Sequence, residues 1–497
     1  MLFVSPFAFM ACDDDDDPAP AQGDPIVGAP STTTDIEVGT AADITFTVTA
    51  PGGYKSSTVA AAGGTATKKS EPAAGATSGT VVITYTADGN AGAGSVTLTV
   101  TDNANKASSQ AAVINKTAQL NEFVISTNIT EDAVWESGKT YILASRIAVT
   151  DGATLTIQKG VVVKGEAGSG PNATALIIAR GGKLMAEGTA EEPIIFTSIA
   201  DEIEPGMIES PNLSPADGGG LWGGLIILGK APISVSTGEQ NFQIEGIPAS
   251  DPNGAYGGDL ADDSSGEIRY ISIRHGGANI GEGNEINGLT LGGVGSGTII
   301  ENVEVVSNED DGIEWFGGTV NVTNALVWNA GDDAIDTDQA WSGTLTNFIV
   351  LAGEDTDHAL EIDCPEGTYG EGASTGHTLT KGTIRGTSTT ELADFRDGAR
   401  ANVSELYFYG FPDPATSEGL GDFSLSGTET TDNFAAGYLL FDKLEITLAD
   451  GAVLNTIFKN GTDAHATAVT AGSNTVGADK SAFEWTLAGA SGELDAL

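Results

Sequence analysis

The sequence predicts an all-β protein in which a small immunoglobulin-like β-sandwich precedes a long right-handed parallel β-helix solenoid. Three observations support this fold class. Glycine is abundant, with 67 residues, whereas aromatic residues make up only 6% of the chain. Short β-branched runs alternate with turn residues. The apolar anchors Leu289, Ile313, Ile335 and Leu360 recur at a period of about 22–25 residues, which is typical of a solenoid.

The charge balance excludes several classes of partner. The 497 residues include 21 Lys and Arg against 69 Asp and Glu, for a net charge of −48. A nucleic-acid-binding protein needs cations to neutralise phosphates, so we expect no nucleic acid partner. Electrostatic docking on anionic lipid is excluded for the same reason. The excess favours cation binding or a solvated acidic surface.

The first residues predict a lipid anchor. Residues 1–12 form an apolar run that ends Phe9-Met10-Ala11-Cys12, and Asp13 to Asp17 follow directly. This order resembles a lipoprotein signal peptide with Cys12 as the lipidated residue, then a surface-export signal of Bacteroidota lipoproteins. The positively charged start of such a signal is missing. The alternative is an unlipidated N-terminus that contains a cysteine by chance.

The rest of the chain divides into three parts. Residues 13–30 are rich in Asp, Pro, Ala and Gly and predict a flexible acidic tether. Residues 31–116 alternate Thr with branched apolar residues, as in Val81-Val82-Ile83-Thr84-Tyr85, which favours the sandwich. Residues 117–497 carry the β-helix. We expect the last fifty residues to cap its open end, which would otherwise expose unpaired strand edges.

Acidic residues recur with the solenoid period. Stacked coils lie ~4.8 Å apart, so equivalent positions form columns. Alignment on the apolar anchors gives four columns: Asp310, Asp332 and Asp357; Asp311, Asp333 and His358; Glu314, Asp336 and Glu361; Asp338 and Asp363. Neighbouring carboxylates repel by about 3 kcal/mol at an effective dielectric constant of 20. Bound cations, raised pKa values or exposure to solvent must offset this repulsion.

Calcium is the cofactor that these columns predict if cations offset the repulsion. Ca²⁺ takes six to eight oxygen ligands, and carboxylates on adjacent coils supply them. The spacing matches neither an EF-hand loop nor a Gly-Gly-x-Gly-x-Asp repeat. The predicted metal ligands are Asp310, Asp311, Asp332, Asp333, Asp336, Glu361 and Asp363. A solvated, partly protonated acidic face is the alternative.

The same residues also allow a catalytic interpretation. Asn308-Glu309-Asp310 and Asp332-Asp333 resemble motifs that polygalacturonase-like β-helices carry on successive coils. The resemblance then fails, because Asp357-His358-Ala359 lacks the flanking glycines and Ile384-Arg385-Gly386 lacks a lysine. Under this hypothesis Asp333 is the general acid, and Asp310 or Asp332 is the base of an inverting hydrolase. A lyase would instead need calcium and a basic residue.

Ligand-binding residues outside the columns are predicted from side-chain chemistry. Trp315, Trp328 and Trp341 can stack on sugar rings, and Arg385 can pair with an acidic sugar. Packing of the tryptophans within the coils is the alternative for these positions.

Several motifs within 120–497 resemble a family of Bacteroidota surface or secreted β-helix proteins of pectate-lyase-like architecture. They include Leu221-Trp222-Gly223-Gly224-Leu225, Asp262-Asp263-Ser264-Ser265-Gly266 and Asp311-Gly312-Ile313-Glu314-Trp315-Phe316. That family has no defined activity, so the resemblance implies fold and location. We therefore predict a lipid-anchored protein of the outer membrane that is exposed at the cell surface. Its predicted role is a binding or structural module for polysaccharide or other surface proteins, and a polysaccharide hydrolase or lyase is the alternative.

Overall fold

The computed structural model describes residues 22–280, 286–363, 365–367, 376–417 and 419–497. The chain forms two compact units, Met1–Leu120 and Asn121–Leu497. The predicted signal peptide at 1–12, its lipidation site Cys12 and the first part of the predicted tether lie outside the described residues. Across the described ranges, no helix is long and apolar enough to cross a membrane.

The first unit is a β-sandwich of two four-stranded sheets, with strand orders β1-β3-β6-β5 and β2-β8-β7-β4. Alternate residues of each strand face a shared apolar core, as period-two burial requires. Strand β1 lies inside the predicted tether at 13–30, so that boundary was wrong: Ile26–Gly28 pairs with β3. The strands are β1 (Ile26–Gly28), β2 (Thr34–Glu37), β3 (Ala41–Thr49), β4 (Tyr54–Ala62), β5 (Gly64–Ser70), β6 (Ser78–Ala87), β7 (Gly92–Asp102) and β8 (Ala107–Thr117).

The second unit is a parallel β-helix, which confirms the predicted solenoid. Its coils build a sixteen-stranded sheet and a nine-stranded sheet of parallel strands. The strands of the first half are β9 (Glu122–Ile125), β10 (Ala133–Trp135), β11 (Thr140–Leu143), β12 (Arg146–Val149), β13 (Thr154–Gln158), β14 (Val162–Gly165), β15 (Ala175–Ile178), β16 (Lys183–Glu187), β17 (Ile194–Ser198), β18 (Leu225–Leu228), β19 (Phe242–Gln243), β20 (Ala255–Tyr256), β21 (Gly266–Arg274) and β22 (Leu289–Gly292). Strands β19 and β20 form a separate antiparallel pair in a loop.

The second half continues the same stacking. Its strands are β23 (Ile299–Val306), β24 (Ile313–Phe316), β25 (Asn321–Trp328), β26 (Ile335–Asp338), β27 (Thr344–Leu351), β28 (Leu360–Ile362), β29 (His377–Arg385), β30 (Ala393–Phe395), β31 (Ala401–Tyr409), β32 (Phe423–Leu425), β33 (Leu440–Asp442), β34 (Leu444–Ile446) and β35 (Ala466–Ala468). The helices are α1 (Thr428–Ala436), α2 (Leu454–Ile457) and α3 (Leu487–Ala490).

Each long strand of the sixteen-stranded sheet bends at one residue with positive φ. Asn302, Asn324 and Asn347 occupy this corner on three successive coils, at φ of 59–60°. Asparagine adopts the left-handed region more readily than most residues, which explains why it occupies this corner on three coils. Their amides also form a ladder: Nδ2 of Asn324 donates to Oδ1 of Asn302 at 2.8 Å, and Nδ2 of Asn347 donates to Oδ1 of Asn324 at 2.6 Å.

The C-terminal region caps the solenoid, as predicted, and also packs along its side, which was not predicted. Ile457 and Phe458 join the end of the apolar core, as a cap should. The segment 479–494, however, folds back along the outside of the sixteen-stranded sheet. There the buried Glu304 accepts the backbone N–H groups of Leu487 and Ala488 at 3.0 and 3.1 Å. The last fifty residues therefore form both a cap and a lateral segment.

Candidate functional site

An acidic column runs along the outer face of the nine-stranded sheet. Glu314, Asp336 and Glu361 pair in register on strands β24, β26 and β28, as the sequence predicted. Side chains alternate across a strand, so Ile313, Ile335 and Leu360 point into the core while the carboxylates point outward. The period of the apolar anchors is thus what aligns the acids.

Two further rows lie in the turn that precedes this sheet. The backbone N–H of Asp333 donates to Oδ1 of Asp311 at 2.9 Å, and the N–H of His358 donates to Oδ1 of Asp333 at 2.8 Å. Asp332 and Asp357 lie in the neighbouring row and are exposed. The turn therefore has one buried acidic row and one that faces solvent.

A loop buries the acidic column. Apolar residues of the 231–257 loop, including Ile233, Val235 and Tyr256, pack against Phe316 and the outer face of the sheet. As a result Glu314 and Asp336 are only 6% and 8% exposed. These carboxylates are consequently held in a low-dielectric environment rather than on an open acidic surface.

Three of these carboxylates have no countercharge, and we refer to Asp311, Glu314 and Asp336 as the unpaired cluster. One oxygen from each lies within 4.8 Å of the others. Within the described part of the chain, no Lys, Arg or His forms an ion pair with any of the three. Burial, followed by repulsion from neighbouring carboxylates, raises the pKa of each well above its ordinary value.

Two oxygen atoms, one in the unpaired cluster and one beside it, lack hydrogen-bond partners. They are Oδ1 of Asp336 and Oδ1 of Asn287, both buried. Asn287 lies against the cluster, because its Nδ2 donates to Oε2 of Glu314. A buried acceptor without a donor costs roughly 1–3 kcal/mol. A cation bound among these oxygens would remove that cost.

A second group on the same columns contains cationic partners for its acids. We refer to Asp333, His358, Glu361, Asp363 and Arg396 as the paired cluster. His358 Nδ1 lies 2.9 Å from Oδ1 of Asp333, and Arg396 lies 2.5 Å from Glu361 and 2.7 Å from Asp363. Burial lowers the pKa of His358, but hydrogen bonds to Asp333 and Glu391 outweigh it and raise the value to about 11.

The acids of the paired cluster remain perturbed by burial. Burial and the nearby Asp333 raise the pKa of Glu361 to about 8, although Arg396 opposes the shift. Burial also raises the pKa of Asp363, again against Arg396. Asp338, two residues after Asp336 on strand β26, has its pKa raised to about 7 by burial and by Asp363.

The two alternative bases of the catalytic hypothesis, Asp310 and Asp332, lie together in the turn. With Asp311 they place carboxylate oxygens within 4.8 Å of one another. Oδ1 of Asp333 accepts a hydrogen bond from the backbone N–H of His358 and lies 2.9 Å from Nδ1 of the same residue. In these contacts this oxygen is a hydrogen-bond acceptor, whereas the catalytic hypothesis made Asp333 a proton donor.

The predicted sugar-stacking residues do not gather at this site. Trp315 and Trp341 are 0% and 1% exposed and stack on each other inside the coil at 4.7 Å, so their assignment to ligand binding was wrong. Trp328 is partly buried against the C-terminal segment. Arg385 forms an ion pair with Glu493 at 2.7 Å on a different sheet. Trp315 and Trp341 are thus packed inside the solenoid, and Trp328 is packed on its outside.

Sequence reasoning missed Asn287 and the role of Arg396. Asn287 precedes Leu289 by the same interval that separates Asp311 from Ile313, so the anchor register could have placed it above the column. Arg396 follows strand β30 and reaches back by one coil to Glu361 and Asp363. No local motif marks that contact.

Fold and site together define a β-helix with a buried acidic column on one outer face. Residues 127–489 match the model of the pectate-lyase-like β-helix domain family, and the chain belongs to that family. Among solved structures, the Yersinia enterocolitica family 28 exopolygalacturonase is similar, at 12% identity, with 89% of this chain and 90% of that chain covered and a TM-score of 0.22. No curated protein matches the sequence.

Proposed function

We propose that this protein is a cation-loaded binding or structural module of the cell surface, in which the unpaired cluster holds Ca²⁺. The observation that carries the proposal is the burial of Asp311, Glu314 and Asp336 within 4.8 Å of one another with no cationic partner among the described residues. A buried charge without a partner is expensive, so such a cluster calls for a counter-ion or for protons.

The chemistry of the donor set favours calcium. Carboxylates bind mono- or bidentately, and Ca²⁺ accepts six to eight oxygens in a flexible geometry. The three carboxylates and Oδ1 of Asn287 supply these oxygens, while Arg396 and His358 neutralise the neighbouring acids. The cation would fix adjacent coils in register and rigidify the face that meets a surface partner, either a polysaccharide or another protein.

Calorimetric titration of the chelator-treated protein with Ca²⁺ at pH 8 tests this proposal. We expect saturable heat and a rise in melting temperature, since a ligand at 100 times its Kd stabilises by about 2.7 kcal/mol. Glu314→Gln should remove both effects, whereas Glu354→Gln, which changes an exposed acid, should preserve them. Absence of heat and of any melting shift in the wild-type protein would overturn the calcium assignment.

The proposed surface location rests on the lipoprotein-like sequence that ends at Cys12. Metabolic labelling with an acyl analogue should modify the wild-type protein and spare Cys12→Ser. Protease treatment of intact cells should remove the labelled protein if it faces outward. Label retained by Cys12→Ser would refute the anchor.

Hydrolysis of a polysaccharide is the second candidate, and the cluster of Asp310 and Asp332 at the solvent-facing turn favours it. Incubation with pectin, alginate and related polymers would then release oligosaccharides. Asp332→Asn should abolish that release while leaving the free energy of unfolding within about 0.5 kcal/mol of wild type, because Asp332 is exposed. If no oligosaccharide appears from any of these polymers, the binding role alone stands.

A further inference from the structure

Arg146 is the feature of interest at the other end of the nine-stranded sheet. It begins the edge strand β12, and the next residue, Ile147, points into the core. Arg146 lines a polar cavity of about 310 Å³ together with Asn128, Ser145, Asn172, Asp251 and Asn253. The cavity therefore lies on the same face of the solenoid as the acidic column but near its first coils.

The guanidinium of Arg146 lacks an anionic partner. Its Nε and one terminal nitrogen are buried without a hydrogen-bond partner, and no ion pair joins it to any residue of the described ranges. The chain has 69 acidic residues for 21 basic ones, so an unpaired arginine stands out. By contrast, Arg385 and Arg396 have carboxylate partners at 2.7 and 2.5 Å.

The remaining lining offers hydrogen-bond donors and little free negative charge. The Oδ1 of Asn128 already accepts the N–H of Ala148 at 3.0 Å, so its amide NH₂ is the group left for a ligand. Asp251 is the one carboxylate of the lining, and its Oδ1 already accepts the backbone N–H and Nδ2 of Asn253 at 3.0 and 2.8 Å. A cavity with donors and one unpaired cation selects an acceptor with negative charge.

We propose that this cavity binds the oxyanion of a small polar molecule, either a carboxylate or a phosphate, with the Arg146 guanidinium as its counter-ion. The planar fork of arginine matches such groups with two parallel hydrogen bonds. The cavity volume falls at the low end of small-molecule sites, roughly 300–1,000 Å³. This inference goes beyond the calcium proposal and does not depend on it.

Isothermal titration at physiological salt with four probes tests the proposal: gluconate, glucose 6-phosphate, inorganic phosphate and glucose. We expect gluconate or glucose 6-phosphate to bind and glucose to fail, and the comparison of the first two assigns carboxylate or phosphate. Arg146→Gln should weaken binding about tenfold or more, because hydrogen bonds to a charged group contribute roughly 1.5–3 kcal/mol. Arg146→Lys should have an intermediate affinity, since it keeps the positive charge but loses the planar guanidinium that forms two parallel hydrogen bonds.

A stability measurement separates a binding role from a structural one. Arg146 has no partner to lose, so Arg146→Gln without ligand should melt at the wild-type temperature or above it. Lys183→Gln removes an exposed cation elsewhere and should leave both binding and melting unchanged. Failure of all three anions to bind, or equal binding by wild type and Arg146→Gln, would overturn the inference. Neither result bears on calcium, which is titrated separately.

Discussion

The unpaired and paired clusters occupy the same columns of the solenoid but solve the problem of buried charge differently. In the paired cluster, His358 and Arg396 bring cations to within 2.9 and 2.5 Å of buried acids. In the unpaired cluster, Asp311, Glu314 and Asp336 have no such partner in the described structure, and one oxygen of Asp336 accepts no hydrogen bond. Stacking alone therefore does not decide whether the acids of the column are paired with cations. That depends on whether a neighbouring coil places an arginine or histidine against them.

The dependence of stability on pH should show the largest effect, because several buried acids ionise together. Folding raises the pKa of Asp338 to about 7 and that of Glu361 to about 8, and the unpaired cluster shifts in the same direction. The folded state then holds protons that the unfolded chain has released above about pH 4. Stability is present at low pH and is lost as pH rises through the window from about 4 to about 8.

Urea denaturation in chelator across this window measures the effect. Saturating Ca²⁺ should flatten the decline, since the cation replaces the protons of the unpaired cluster. A calcium-free protein that becomes more stable from pH 5 to pH 8 would contradict the assignment of raised pKa values.

Arg396→Ala should give the next largest change and acts on the paired cluster. It leaves the buried Glu361, at 8% side-chain exposure, with only the 3.7 Å contact to His358, and it removes the cationic partner of Asp363. Loss of one partner of a buried pair costs roughly 3–5 kcal/mol, and we expect about 3 because Arg396 is itself 40% exposed. Equilibrium unfolding at pH 8 measures the loss. The loss should shrink at pH 5, where Glu361 is protonated, and Lys183→Ala serves as the exposed control.

Asp336→Asn should give a smaller change of opposite sign and acts on the unpaired cluster. In chelator at pH 8 it replaces a buried carboxyl that must either repel its two neighbours or hold a proton, so we expect a gain of about 2 kcal/mol in the free energy of unfolding. In calcium the gain should disappear, because a ligand has been lost. Asp357→Asn, on an acid that is 57% exposed, should stay within about 0.5 kcal/mol in both conditions. If Asp336→Asn is less stable than wild type in chelator, repulsion among the carboxyl groups of the unpaired cluster does not destabilise the protein.

The solenoid and its register were predictable from the sequence because both depend on local periodicity. The anchors Leu289, Ile313, Ile335 and Leu360 pair in the predicted order, and they align the acids that neighbour them. The pattern of Thr and branched residues likewise predicted a sandwich before residue 120. These features repeat every coil or every second residue, so a short window contains them.

Burial and charge pairing at the site were not predictable from such windows. The loop at 231–257 covers Glu314 and Asp336 although it precedes them by several coils. Trp341 lies beyond the end of strand β26, where strand alternation gives no direction for its buried side chain, whereas the inward direction of Trp315 follows from its spacing to Ile313. The arginine that neutralises Glu361 comes from the following coil. Each of these contacts joins residues that no repeat relates.

The lateral segment at 479–494 has a mechanical consequence. It contacts five rungs of the sixteen-stranded sheet, at Tyr270, Glu304, Leu326, Asn347 and Arg385, and so ties them together from outside. A solenoid whose rungs touch only their neighbours can fray from one end, rung by rung. Here the lateral segment prevents those rungs from unfolding one at a time, because it must first dissociate from them. A pulling force applied to the C-terminal coils should therefore meet its main resistance in the middle of the solenoid.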